Sequence, residues 1–181
     1  MPPPATDPAI VVLGVDPGIA ITGYGIVRQK DDVLEPVAYG VITTPAGSPL
    51  PHRLQHLYRE LVTLIDRYQP AEASVEELFF ARNARTALSV GHARGVILLA
   101  LADRGLPTYE YTPLQVKQSI TGYGRADKEQ MQEMVRLLLQ LQAIPKPDDA
   151  ADALATAICH VHSLSNALRL ATMSSGRGSG Q

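Results

Sequence analysis

A single cysteine, Cys159, rules out a disulfide within this chain and leaves too few thiolates for a zinc cluster. Set in an apolar helical pattern, it reads as a small buried hydrophobe. Runs of ~18 apolar residues are also missing, so no membrane-spanning helix is expected. The Pro-rich start "MPPPATDP" has neither the basic segment nor the apolar core of a secretory signal, and a cytoplasmic location is the expectation. The chain has no strong excess of either charge: its net charge is −2, which argues weakly against nucleic acid as a partner. The distribution is uneven, however. Residues 78–128 carry seven basic side chains (Arg82, Arg85, Arg94, Arg104, Lys117, Arg125, Lys128) against three acids (Asp103, Glu110, Asp127), a local net charge of +4 that leaves −6 for the rest. Such a division suits a basic surface beside an acidic pocket. Phenylalanine is scarce, with only the adjacent Phe79 and Phe80, for each of which a core role is the default.

What is present suits one domain of ordinary globular composition: 181 residues, 45% hydrophobic and 19% charged, enough to bury a sheet with helices on both faces. Residues 1–8 and a Gly/Ser-rich tail over 169–181 are expected to be disordered, leaving a domain over 9–168. Three strands are predicted at Ile10–Val15, Thr22–Arg28 and Val37–Thr43, then a helix whose apolar positions Leu50, Leu54, Leu57, Leu61 and Ile65 recur at helical spacing and which ends before Pro70. A strand over Ala71–Leu78, a long helix over Asn83–Arg104, a strand over Thr108–Tyr111 and a short helix over Pro113–Ile120 follow. Two further helices are predicted from Asp127 to about Gln142 and from near Asp148 onward, with Asp148 as a helix cap. This order makes an α/β sandwich that begins as an antiparallel meander and continues through helical crossovers.

The carboxylates fall in a pattern. Asp16 ends the first strand and Glu76 the fourth, and a helical crossover returns the chain parallel, so both acids can meet at the carboxyl edge of the sheet, where open α/β sheets bind ligands. Asp149 and Asp152 share one face of the last helix, near its positive end. Four converging carboxylates repel one another unless cations neutralise them, and all-oxygen ligation suits Mg²⁺ or Mn²⁺. Each acid also has a plainer reading. "DPG" is an ordinary turn, Asp149 can cap a helix, and periodicity does not decide whether Glu76 or its neighbour Glu77 faces inward. Asp152 lies within "AADALATA", a small-residue surface suited to close packing.

Four stretches, "GVDPGIAITGYGIV", "VEELFFARNARTALSVGHARGV", "YTPLQVKQSITGYGRADKEQM" and "DDAADALATAICHVH", resemble in order and spacing the RuvC family of crossover junction endodeoxyribonucleases, over about Val11–Ser165. The resemblance implies an RNase H-like fold with a five-stranded mixed sheet, a homodimer, and metal-dependent resolution of four-way (Holliday) DNA junctions by paired nicks that leave 5′-phosphate and 3′-hydroxyl ends. It also implies branch-migration partners, RuvA and RuvB. By the same resemblance the catalytic and metal-holding acids are Asp16, Glu76, Asp149 and Asp152. Some family members carry His where this chain has Asp149, and many are uncharged at Glu77. Two Mg²⁺ per subunit, about 3.5 to 4 Å apart, are implied, with Mn²⁺ a possible substitute and Asp16 the candidate bridge.

Lys117 and Lys128 fall on family positions that contact DNA, and with Arg125 they flank the Gly-rich "TGYGR". Phe79 falls where the family has an aromatic wedge near the junction crossover. Ala84, Ala87, Gly91 and Gly95 form a small-residue stripe that suits either a partner helix or the sheet. His160 and His162 carry no assigned role. Two other readings stand beside the nuclease: a non-catalytic junction binder of the same fold, which would not nick DNA, and a nucleotide-binding domain of the actin and sugar-kinase type. The latter needs a second, similar domain, for which 181 residues are too few.

Overall fold

The computed structural model describes residues 9–77 and 84–175, with side chains described over 87–167 of the second span. Five strands, β1 (Ile10–Asp16), β2 (Ile21–Lys30), β3 (Val33–Thr43), β4 (Glu72–Glu76) and β5 (Thr108–Tyr111), form one sheet in the order β3-β2-β1-β4-β5. The first three pair antiparallel, and β4 and β5 join parallel to β1. This is the expected meander followed by crossovers, because parallel pairing requires a long connection and the helices supply it.

Helices cover both faces. α1 (Leu50–Tyr68) and α2 (Ala84–Asp103) lie on one side, where Leu57, Leu61, Ile65, Ile97 and Leu101 pack against Leu13, Val15 and Ile26. α3 (Pro113–Thr121), α4 (Lys128–Leu138) and α5 (Asp148–Ser175) lie on the other, where Val116, Ile120, Val135, Leu154 and Ile158 pack against Val12 and Val27. Alternate residues of β1 therefore serve two different cores, as the period-two geometry of a strand demands.

Local signals explain most element ends. α1 stops at Gln69, which takes a left-handed conformation (φ 47°) immediately before Pro70. α3 and α4 begin with reciprocal capping boxes, Thr112 with Gln115 and Asp127 with Gln130, each satisfying amides left over at the helix start. Several expectations are corrected. α4 ends at Leu138, short of Gln142, as the chain turns through Gln140 at φ 52°. β4 spans Glu72–Glu76, leaving Ala71 and Glu77 outside the strand, and Leu78 lies outside the described residues. Asp148 is the first residue of α5 and not its cap, because Lys146 and Lys128 take its carboxylate. α5 also runs past the expected domain limit at 168, since "ALRLATMSS" offers good helix formers and no Gly or Pro before Gly176. Residues 1–8 and, within the expected tail over 169–181, residues 176–181 lie outside the described residues.

Candidate active site

On β1, Val12, Gly14 and Asp16 face the α5 side; on β4, so do Glu72, Ser74 and Glu76, whereas Ala73 and Val75 belong to the opposite core. The parallel register pairs Val15 with Val75, so Asp16 and Glu76 come next, side by side at the carboxyl ends of neighbouring strands. Their side chains are hydrogen-bonded to each other. Glu77 has left the strand, its amide donating to the Tyr111 carbonyl. The choice between the adjacent glutamates, open in the sequence, is settled by strand alternation in favour of Glu76 as the one beside Asp16.

The electrostatics match a crowded acidic pocket. Burial, followed by the charges of Glu76, Asp152 and Asp149, pushes the Asp16 carboxyl from 3.8 up to about 8. Glu76 is also raised, by burial and then by Asp152, while a hydrogen bond from Asp16 and the ammonium of Lys117 pull it back. Burial and the neighbouring acids thus favour a shared proton on the pair over two facing carboxylates, the usual outcome when two carboxylates share a low-dielectric site. Asp152 is raised by burial, against the opposing pull of Lys128.

Asp149 and Asp152 reach this pocket because α5 lies unusually close to the sheet. Gly14 and Gly25 are paired across β1 and β2, and Gly23 pairs with Asp16 itself. A Cβ at Gly14 would strike the Ala153 carbonyl, one at Gly23 the Asp149 carbonyl, and one at Gly25 would lie 2.7 Å from the Leu154 amide nitrogen. Three glycines thus form a bare lane into which the Ala-rich face of α5 settles. Sequence reasoning saw the small residues of α5 but not this lane. The signal was available: Gly23 and Gly25 share strand parity, and Gly14 shares its face with Asp16.

Two of the three basic residues lie beside the acids. Lys117 on α3 is half-buried and acts on Glu76. Lys128, first residue of α4, lies 3.1 Å from Asp148 and 3.7 Å from Asp152. Arg125 is exposed in the loop between these helices. Phe79 lies outside the described residues. Among the described residues no three His, Cys, Asp or Glu side chains form a ready-made metal cage. Asp16 and Glu76 bond each other, and Lys128 lies 3.7 Å from Asp152. The donor set nevertheless fits a hard divalent cation: hard oxygen donors only, with surplus negative charge concentrated in a partly buried pocket.

The comparisons with known proteins agree with this arrangement. The family model for crossover junction endodeoxyribonuclease RuvC matches residues 12–160. A RuvC from Desulfitobacterium hafniense is 61% identical over 155 residues, covering 86% of this chain and 94% of that relative. One from Chloroflexus aggregans is 60% identical over 150 residues, covering 83% and 92%. The structure of Thermus thermophilus RuvC in complex with a Holliday junction substrate superposes with a TM-score of 0.82 at 37% identity, over 86% of this chain and 94% of that one. The RNase H-like sheet, the four carboxylates at its edge and matches spanning nearly all of the described chain lead to one assignment: this chain belongs to the RuvC family of crossover junction endodeoxyribonucleases.

Proposed function

We propose that this protein is a structure-selective endonuclease that resolves four-way DNA junctions by paired, symmetric hydrolytic nicks, leaving 5′-phosphate and 3′-hydroxyl ends, in recombination and repair in the cytoplasm. The observation that carries this reading is the hydrogen-bonded Asp16–Glu76 pair with Asp149 and Asp152 beside it, at the edge of a sheet that superposes on a junction-bound relative. Asp16, Glu76, Asp149 and Asp152 would hold two Mg²⁺ per subunit, with Mn²⁺ as a substitute. When bound, such ions supply charge neutralisation at the scissile phosphate, an activated water and stabilisation of the departing 3′ oxygen. The chain's own part is to release the proton between Asp16 and Glu76, to turn Asp152 away from Lys128, and to keep all four carboxylates on one side of the phosphate. Lys117, Arg125 and Lys128 contact the DNA backbone, and Phe79 acts as a wedge at the crossover.

Two opposed nicks need two sites related by symmetry, which favours a homodimer. The exposed face of α2 supports this. Leu88 and Leu99 are 64% and 54% exposed, and a Cβ at Gly91 or Gly95 would meet nothing within 4 Å, so these glycines face away from the sheet. The resemblance adds RuvA and RuvB as branch-migration partners. Incubating the protein with a synthetic four-way junction and with a linear duplex, each with Mg²⁺ or with EDTA, tests the reading. Symmetric nicks in the junction alone, and only with Mg²⁺, are expected. Junction binding without nicks would instead mark a non-catalytic binder.

A further inference from the structure

We infer that His160, held between Glu72 and Tyr111, is a positioning residue that fixes the register of α5 on β4 and so sets the distance of Asp152 from Glu76. His160 is 1% exposed, on the inner face of α5. Its Nε2 lies 2.6 Å from Glu72 Oε2, and its Nδ1 lies 2.8 Å from the Tyr111 hydroxyl. One proton arrangement satisfies the neutral ring: Nε2–H donates to the carboxylate and the Tyr111 O–H donates to Nδ1. Tyr109 stacks on the ring with centroids 4.4 Å apart, fixing its plane.

These contacts form the first rung of a ladder. Glu72, Ser74 and Glu76 occupy alternate positions on the α5 face of β4, and they meet His160, Thr156 and Asp152, which are spaced four apart on α5. Glu72 bonds His160, the Ser74 hydroxyl donates to the Thr156 carbonyl at 3.1 Å, and Glu76 is repelled by Asp152. Two strand residues advance ~6.6 Å and four helical residues ~6.0 Å, so the rungs stay matched over this length. The first two rungs attract. The third, at the acidic pocket, repels.

A polar lock matters here because the contact beside the acids is smooth. Gly14 faces Ala153 and Ala157, and Gly23 faces the Asp149 backbone, so next to the acids the helix meets bare strand with no interlocking side chains, a surface that specifies little about sliding. Fixing register is the best-attested use of a buried polar pair. Here the pair anchors α5 two turns from the acids and holds Asp152 near Glu76 against their mutual repulsion.

This inference rests on the proposed metal-dependent nicking. The test uses the full chain with His160→Leu, His160→Gln and Glu72→Leu, and as a control Leu61→Ala, which weakens the opposite core. The readouts are Mn²⁺ binding without DNA by electron paramagnetic resonance, amide exchange at Ala150–Leu154, kcat and KM on a four-way junction, and Tm. In His160→Leu, the Mn²⁺ Kd is expected to rise about 10- to 100-fold and kcat to fall comparably with KM unchanged. Exchange at the start of α5 should accelerate, and His160→Gln should recover part of the loss. Leu61→Ala should lower Tm but leave Mn²⁺ affinity alone. If His160→Leu does not fold, Glu72→Leu, which removes the acceptor at a similar size, decides by the same readouts. Folded variants that bind Mn²⁺ and turn over within twofold of the parent would overturn the inference. A parent that does not nick with Mg²⁺ would instead overturn the functional proposal.

Discussion

Asp16 and Glu76 lie side by side at the carboxyl ends of two parallel strands, hydrogen-bonded to each other, where burial and the neighbouring acids push release of the Asp16 proton up to about 8. Without a counter-ion, taking that proton away leaves two charges in a partly desolvated site. The pair is a sensor of its own neutralisation.

The sign of the resulting pH dependence follows. The folded chain holds the Asp16 proton up to about 8, whereas an unfolded Asp releases it near 3.8. The corresponding stability is therefore fully present below about pH 4 and is lost as pH rises towards 8. In EDTA, Tm should fall over this range more steeply for the parent than for Asp16→Asn, and Mg²⁺ at pH 8 should restore it. Parallel Tm profiles for the two proteins would show that the shift is absent.

Gly23→Ala tests the glycine lane. The added methyl meets the Asp149 backbone carbonyl, which cannot move without α5. Overpacking of this kind costs roughly 1–3 kcal/mol, or about 2–4 °C in Tm for each kcal/mol in a chain of this size. Nicking at a temperature where the variant is fully folded should fall at least about tenfold, because Asp149 is displaced. Gly47→Ala, which meets nothing within 4 Å, should change neither Tm nor rate.

The sequence made the element order, the opening meander and the edge where Asp16 and Glu76 meet legible, because periodicity and crossover length carry that information. It left Glu76 and Glu77 undecided, since adjacent residues differ only in which face the strand presents. The role of His160 was hidden for another reason: its partners Glu72 and Tyr111 lie 88 and 49 positions away, and only the fold brings them together. The course of α5 past residue 168 was hidden because Ser and Met near a Gly-rich tail look like tail, although nothing in them stops a helix before Gly176.

At the proposed dimer face, Gly95→Arg places a long charged side chain on open helix surface, so the monomer fold should be untouched. Sedimentation at micromolar concentration should show a dimer for the parent and a monomer for the variant, which should nick single strands without cutting both in one encounter. A parent that sediments as a monomer would remove α2 as the interface.

Lys128 has two claims on its charge, the acids Asp148 and Asp152 and the DNA backbone. If it neutralises a phosphate, Lys128→Ala should flatten the slope of log K against log [salt] by about 0.9 and weaken binding to junctions of every sequence alike, leaving cutting preference unchanged. Identical slopes would assign Lys128 to the acidic pocket alone.

The most direct measurement compares parent, Asp16→Asn and Glu77→Gln on one labelled four-way junction in Mg²⁺, with junction affinity measured beside the nicking rate. A metal site contributes several kcal/mol to the transition state, and each 1.36 kcal/mol is tenfold in rate. Asp16→Asn should therefore nick at least about a hundredfold more slowly while binding the junction as tightly as the parent, and Glu77→Gln should cut within a fewfold of it. Nicking by Asp16→Asn at the parental rate would contradict the assignment of the carboxylates to catalysis.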